Sequence, residues 1–471
     1  MTGVQTCALP ISIDACGPAA ARATRDFYAD AGCEAIPARG PLAALTVAGT
    51  VGGWRAALEA AASWGAALPL GDLLASAIGH AKEGVSVTLG QADLTQAKRD
   101  ELKDVPGFAE TYLNGKGEAP GEGDVLVQDK LAATLARLAE AGLDDFYRGD
   151  VARALAGGLE KIGSPVRLSD LEAYRPLNTA PLTVSLKSGR VFNMPPPTQG
   201  VASLMILGLF DRLGITEAEG FDHIHGLVES TKQAFILRDQ YVTDPAYMPV
   251  SAEDWLTSAF LDERAGRIDR ARALPWPHVP KPGDTIWMGA ADGEGRVVSF
   301  IQSIYWEYGS GIVPDGTGVH WQNRGMSFSL DPAHPNTLEP GKRPFHTLNP
   351  ALAKLKDGRT LAYGNMGGEG QPQSQSAVFS RHVMFGQPLQ EAITAPRWLL
   401  GRTWGDETTS LKLEGRFDPA LVEALEGAGH DVEILEDFTS VMGHAGGVSV
   451  NADGRYEGAS DPRSDGTAVG L

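Results

Sequence analysis

Apolar residues recur every three to four positions over Leu70–Ala81, Leu131–Ala141 and Asp150–Lys161, which predicts three helices with one buried face each. Shorter helical patterns are expected at Ala19–Ala31 and at Leu171–Tyr174, the latter capped by Ser169. Leu45–Val51 alternates like a strand end. It runs through Gly49, Gly52 and Gly53 into a helix carrying Trp54, Leu58 and Ala62. Leu182–Leu186 and Val191–Met194 read as a hairpin that Pro195–Pro197 ends. Gly200–Leu213 is apolar almost throughout and predicts a buried helix; Phe221–Tyr241 predicts a long amphipathic one with Arg238 and Asp239 near its end.

The pattern changes at Pro275–Gly283, where four prolines in nine positions forbid a helix or sheet interior and predict an exposed connector. Beyond it, period-two segments dominate: Thr285–Ala291, Arg296–Tyr305, Gly318–Trp321, Leu361–Gly364, Val432–Leu435 and Gly447–Asn451. Helices first and strands later point to an α+β chain. The opening Met1–Ser12 carries no such period, has no basic n-region, and reads like a translated sequencing adapter. It is expected to be a non-native tail before a truncated native start.

Composition narrows the function. The formal net charge of −19 argues against a nucleic-acid partner, and no run of about 18 apolar residues exists to span a membrane. A cytoplasmic location is the expectation. All three cysteines fall at Cys7, Cys16 and Cys33, so the rest of the chain holds no disulfide framework. His223 and His225 stand two apart on a predicted helix, facing different sides. There is no His-Glu-x-x-His, nucleophile elbow or phosphate loop, so neither metal nor cofactor is expected.

One hairpin carries candidate chemistry. Gly293-Glu294-Gly295 forms a three-residue loop, and pairing Asp292 with Arg296 sets Thr285 opposite Ser303. Facing side chains lie about 4.5–5.5 Å apart at Cβ, within hydroxyl hydrogen-bonding reach, and a one-residue slip would separate them. A Thr hydroxyl needs an adjacent base to act as a nucleophile. Were the chain cut before Thr285, its own α-amine, with a reference pKa near 8, would supply that base. Alone, a Thr at a strand start is unremarkable.

Other stretches give it weight. Asp284-Thr285-Ile-Trp-Met-Gly, Tyr308-Gly-Ser-Gly-Ile-Val, Pro340-Gly-Lys-Arg-Pro, Gly367-Gly368, Ala395-Pro-Arg-Trp and Gly458-Ala-Ser-Asp-Pro-Arg resemble the γ-glutamyltransferase family. Gly49-Thr-Val-Gly-Gly-Trp, Met194-Pro-Pro-Pro-Thr-Gln-Gly and Phe235-Ile-Leu-Arg-Asp-Gln-Tyr are similar to the family's large-subunit signatures. The resemblance implies the four-layer αββα sandwich of N-terminal-nucleophile hydrolases, self-cleaved between Asp284 and Thr285. It implies a large subunit at 13–284 after the 1–12 tail, and a small catalytic subunit at 285–471. It also implies Thr285 as nucleophile, Ser303 as the second hydroxyl, and Gly367 and Gly368 as the oxyanion hole.

The substrate positions depart from the family. Its carboxylate-holding arginine falls at Cys16, an asparagine at Tyr305, the amine-gripping Gln and Asp at Arg324 and Ser327, and a serine pair at His346 and Thr347. Loss of a carboxylate at Ser327 and gain of a cation at Arg324 turn an ammonium site into an anion site. The alternative is that Arg324 pairs with a neighbouring Asp or Glu. The short Asp331–Arg343 stretch, where some relatives insert a lid, suggests an open pocket, with Trp306 and Trp321 as candidate lining. Phe345-His-Thr-Leu-Asn-Pro and Gly367-Gly-Glu-Gly-Gln-Pro-Gln resemble the oxamate amidohydrolase subgroup. The resulting expectation is a self-processing amidohydrolase for small carboxylate-bearing amides. Alternatives are a γ-glutamyl hydrolase or transpeptidase acting on glutathione, a glutaryl-type acylase, or an inactive paralogue that only binds. Glu369 is expected either to orient the glycine turn or to be solvated.

Overall fold

A computed structural model describes residues 10–65, 67–276, 284–401 and 408–470. In chain order, the strands that position the site are β1 (Leu182–Ser185), β2 (Gly189–Asn193), β3 (Asp284–Ala291), β4 (Val297–Tyr305), β5 (Ala351–Leu355), β6 (Thr360–Met366), β7 (His444–Val450) and β8 (Tyr456–Ser460). Six of them form one antiparallel sheet in the order β8-β7-β6-β5-β2-β1, and β3 and β4 form a separate hairpin. The hairpin stacks on β6 and β7 because two glycines admit it. Gly364 and Gly446 pair across the sheet, and a Cβ at either would meet the Trp287 indole at 2.0 or 2.5 Å. A methyl group there would push the two layers apart.

The opposite face of the sheet presents Leu361, Tyr363, Ala351, Ala353, Val191 and Ala445 to one apolar core. Helices α1 (Gly200–Leu213), α2 (Phe221–Tyr241) and α3 (Gln371–Phe379) bury their side chains in it. A second core gathers the earlier helices around Tyr28, Phe146, Tyr147 and Leu155, and receives Ile312, Trp321 and Phe328 from the loops after β4. The hairpin's other face exposes Ile286, Met288, Val298 and Ile304. Among the described residues no helix is long and apolar enough to cross a membrane.

Several expected elements hold residue for residue, among them α1, α2 and the helix Asp150–Lys161. Others change. Only Arg25–Asp30 of Ala19–Ala31 is helical, begun by the Thr24 side chain; Ala19, Ala20 and Ala23 mimic a helical stripe because they are small, buried packing residues. Gly318–Trp321 is not a strand. Trp321 donates its N–H to Ile312 O (2.8 Å) and its indole to Thr46 O (3.1 Å), so it anchors the second core and does not line a pocket. Ser12, inside the expected tail, already pairs with Thr179 in a short strand. Most of the proline-rich connector, 277–283, lies outside the described residues. Helix α3 escaped the periodicity reading because its polar Gln and Ser side chains are all buried and leave no apolar stripe.

His223 of α2 illustrates what this core requires. Its Nδ1 accepts from the Glu219 N–H (3.0 Å) and its Nε2 faces Ser380 Oγ (2.9 Å), an arrangement that suits the neutral ring. Burial, and then the Arg381 charge, pushes its pKa down to about 3. A folded pKa below the unfolded one means the contribution is complete above about pH 6.5 and is lost as pH falls toward 3. Between pH 6 and 4, urea melts should show His223 adding up to about 1.4 kcal/mol per pH unit to the slope. His223→Gln should flatten that slope, and an unchanged slope would count against the assignment.

Candidate active site

Thr285 opens β3, half-buried, and its hydroxyl lies 3.3 Å from Ser303 Oγ near the end of β4. The loop sets the register: Gly295 adopts φ +78, and Ile286 to Ala291 pair with Gln302 to Val297 as the three-residue turn requires. A bulge then shifts the ladder so that Asp284 faces Tyr305. The two hydroxyls meet despite that shift. Ser303 Oγ also accepts the Tyr305 N–H (2.8 Å), which orients it toward Thr285.

Tyr305 sits at φ +83, a left-handed conformation that costs a bulky residue about 1–3 kcal/mol. This backbone places its buried ring beneath Arg324, whose guanidinium carbon is 3.4 Å from the ring centre. Arg324 is 2% exposed and donates from Nη1 to Thr347 Oγ1 (3.0 Å). Its Nε and Nη2 meet no hydrogen-bond acceptor, and it forms no ion pair with a carboxylate among the described residues. Burial lowers its pKa, with Tyr305 and Glu369 opposing. His346 is buried beside it and held neutral, its pKa driven far down by burial and then by Arg324; its Nδ1 also lacks a partner.

Cys16 lies within electrostatic reach of Arg324. Burial and Asp14 raise its thiol pKa, while Arg343 and Arg324 oppose. Arg343 itself is committed to Asp14 and Asp244. Ser327 spends its hydroxyl on the Arg324 and Phe345 carbonyls (3.1 and 3.0 Å), so it shapes the turn bearing Arg324. Arg324, His346, Thr347 and Tyr305, four of the positions expected to bind substrate, are all buried.

Gly367 and Gly368 follow β6 with φ +138 and +52, values open to glycine. The turn closes through Gly370 N–H to Gly367 O (2.9 Å), a bond that uses neither of their own N–H groups. A buried network holds the turn from behind. Gln199 donates to Gly368 O (2.8 Å) and Thr347 O (3.0 Å), while Arg238 bonds Gln199 Oε1 (3.0 Å) and Glu369 Oε2 (3.0 Å). Glu369 is therefore a buried, paired carboxylate. Below it, Arg397 reaches Asn365 Oδ1 (3.2 Å), Gly443 O (2.9 Å) and Asp461, and Arg463 joins Asp461 to Glu414. The Ala395-Pro-Arg-Trp and Gly458-Ala-Ser-Asp-Pro-Arg stretches thus supply a charged scaffold under the glycine turn.

Gln371, the first residue of α3, completes the constellation by donating from Nε2 to Thr285 Oγ1 (3.3 Å). Contacts then run unbroken from Thr285 through Ser303, Tyr305, Arg324, Thr347, Gln199 and Gly368, and back by way of Gln371. Sequence reading missed Gln199 and Gln371; their only signal is a long polar side chain next to a glycine or proline turn. A cluster unforeseen in the sequence, His225, Glu229 and His430, lies elsewhere. There the two imidazoles bond at 2.9 Å, His225 also bonds Asp269 O, and Glu229 pairs with Lys232.

Comparison with known proteins extends this geometry. The family profile described as Gamma-glutamyltranspeptidase matches residues 6–471. The chain is 53% identical over 462 residues to an oxamate amidohydrolase proenzyme of Klebsiella pneumoniae, covering 98% of this chain and 87% of the relative. It is 39% identical to a glutathione hydrolase-like YwrD proenzyme of Bacillus subtilis, covering 95% and 84%. Among solved structures, a cephalosporin acylase from Bacillus halodurans superposes with a TM-score of 0.87 at 33% identity, covering 97% of this chain and 84% of that one.

Proposed function

The chain belongs to the gamma-glutamyltranspeptidase family and is an amidohydrolase with the α+β sandwich fold of N-terminal-nucleophile hydrolases; from that premise we propose that it cleaves itself before Thr285 and hydrolyses small amides that carry a carboxylate and no α-ammonium. The observation that carries the substrate reading is Arg324, a buried guanidinium with two donor atoms unmet and, among the described residues, no carboxylate within ion-pair distance. Burying a charge without a partner is costly, and a bound carboxylate supplies both the missing charge and the missing acceptors. An α-ammonium at the same place would meet a like charge. The 53% identity to an oxamate amidohydrolase proenzyme supports the same class, since oxamate sets a carboxylate directly beside its amide.

The proposed steps use these residues in turn. Thr285 Oγ adds to the amide carbon while its proton passes to the Thr285 α-amine. The Gly367 and Gly368 N–H groups receive the charge that develops on the carbonyl oxygen. The ammonium returns its proton to the leaving nitrogen and the C–N bond breaks. Water then repeats the addition and releases the acid. Arg324, with Thr347 and the neutral His346 beside it, holds the carboxylate, and Tyr305 fixes the guanidinium plane.

Purified protein should therefore hydrolyse oxamate best and glutaryl-like amides second, with little γ-glutamyl transfer. Ammonia release from oxamate compared with anilide release from a γ-glutamyl anilide decides the matter, and preference for the anilide would sink the substrate reading.

A further inference from the structure

Gln371 is wholly buried at the start of α3, and its two ends differ. Nε2 donates to Thr285 Oγ1 at 3.3 Å, while Oε1 has no hydrogen-bond partner among the described residues. Gln375 and Asn336 also keep a buried oxygen unmet, but of these three Gln371 is the one whose amide bonds the Thr285 hydroxyl, while Gln199 and Gln373 satisfy both their ends. In the uncut chain the Thr285 nitrogen is a peptide N–H. Cleavage at 284/285 turns it into an amine and creates new N–H donors on the residue whose Oγ1 the Gln371 amide already bonds. We propose that Gln371 is a catalytic residue of the cut enzyme, its Oε1 receiving the Thr285 α-amine while its Nε2 supports Oγ.

This rests on the proposed self-cleavage and assigns the group that holds the resulting base. Such a clamp has two consequences. It turns the amine's lone pair toward the Oγ proton that it must take. It also favours the ammonium over the amine, because an acceptor stabilises the protonated form more, and so raises the amine's pKa. The ascending limb of the pH–rate profile reports that pKa.

The test measures kcat/KM against pH for wild type, Gln371→Met and Gln371→Glu on whichever amide the wild type turns over, normalised to the amount of 285–471 fragment found by intact mass. Removing the acceptor should move the ascending limb to lower pH, and a carboxylate should move it higher, each by about half to one unit. Gln371→Met should also lose roughly tenfold in kcat with KM little changed. A residue that only packs would reduce the active fraction and leave the limb in place. Cut variants whose limbs coincide with wild type overturn the assignment. If neither variant is cut, Gln371 belongs to processing and the amine role is likewise overturned. A wild type that is never cut refutes the self-cleavage reading itself, which separates the two failures.

Discussion

Thr285→Ala should remain one continuous chain and lose activity by about ten-thousandfold or more. Two roles vanish with one oxygen. Before cleavage, Oγ1 is the atom proposed to attack the Asp284 carbonyl, shifting the acyl group from nitrogen to oxygen before water releases it. After cleavage, the same oxygen is the proposed nucleophile toward substrate. The surroundings leave no substitute: Ser303 Oγ is already held by the Tyr305 N–H, and its own nitrogen is an internal peptide N–H that cannot act as the base. Intact mass and turnover together check this. A Thr285→Ala preparation cut at 284/285, or one retaining a few per cent of activity, would overturn the assignment. Folding should survive, because the residue is half-buried and the hydrogen bonds of its hydroxyl with Ser303 and Gln371 are long, 3.3 Å each.

This site was legible in the sequence where local chemistry sets geometry. The Gly293-Glu294-Gly295 loop dictates a register, and the register brings Thr285 to Ser303 without knowledge of anything distant. The bulge at Asp284 was not legible. It answers to Tyr305 and its left-handed backbone, which in turn answers to the Arg324 loop packing above it. Ordering of the large helices followed from the apolar pattern, whereas α3 did not, because its polar side chains are buried by partners far away in the chain. Gln375 bonds Asn349, Gln373 bonds Leu400, and Ser374 bonds Met442.

The same distinction explains Glu369 and Arg324, each of which had two readings. For Glu369 the decision came from Arg238, 131 residues earlier, whose helix delivers a guanidinium to the back of the glycine turn. For Arg324 it came from an absence among the described residues: no carboxylate pairs with it. Sequence neighbours such as Asp331 lie on the exposed loop and bond locally instead. The short Asp331–Arg343 stretch is itself folded back, with Ser329 bonding Asn336 and Leu338.

Arg324→Met should lower kcat/KM on a carboxylate-bearing amide roughly ten- to a hundredfold, the worth of a charge-assisted hydrogen bond of about 1.5–3 kcal/mol. Methionine is chosen over alanine because Arg324 is buried against the Tyr305 ring, and truncation would leave a cavity that confuses recognition with stability. Met fills the space and removes only the charge and donors, although Thr347 Oγ1 loses one partner. Cleavage at 284/285 should proceed at the wild-type rate, since no substrate carboxylate takes part in it. Arg324→Lys should recover part of the loss, for it restores the charge without the two-pronged fork that matches a carboxylate. Activity on a neutral acyl anilide should change little in either variant, so the ratio of the two substrates reads the carboxylate contact alone. Equal kcat/KM for wild type and Arg324→Met on oxamate would show that the unmet donors serve some other end. A loss that appears on both substrates and tracks a fall in Tm would show that Arg324 is there to hold Tyr305.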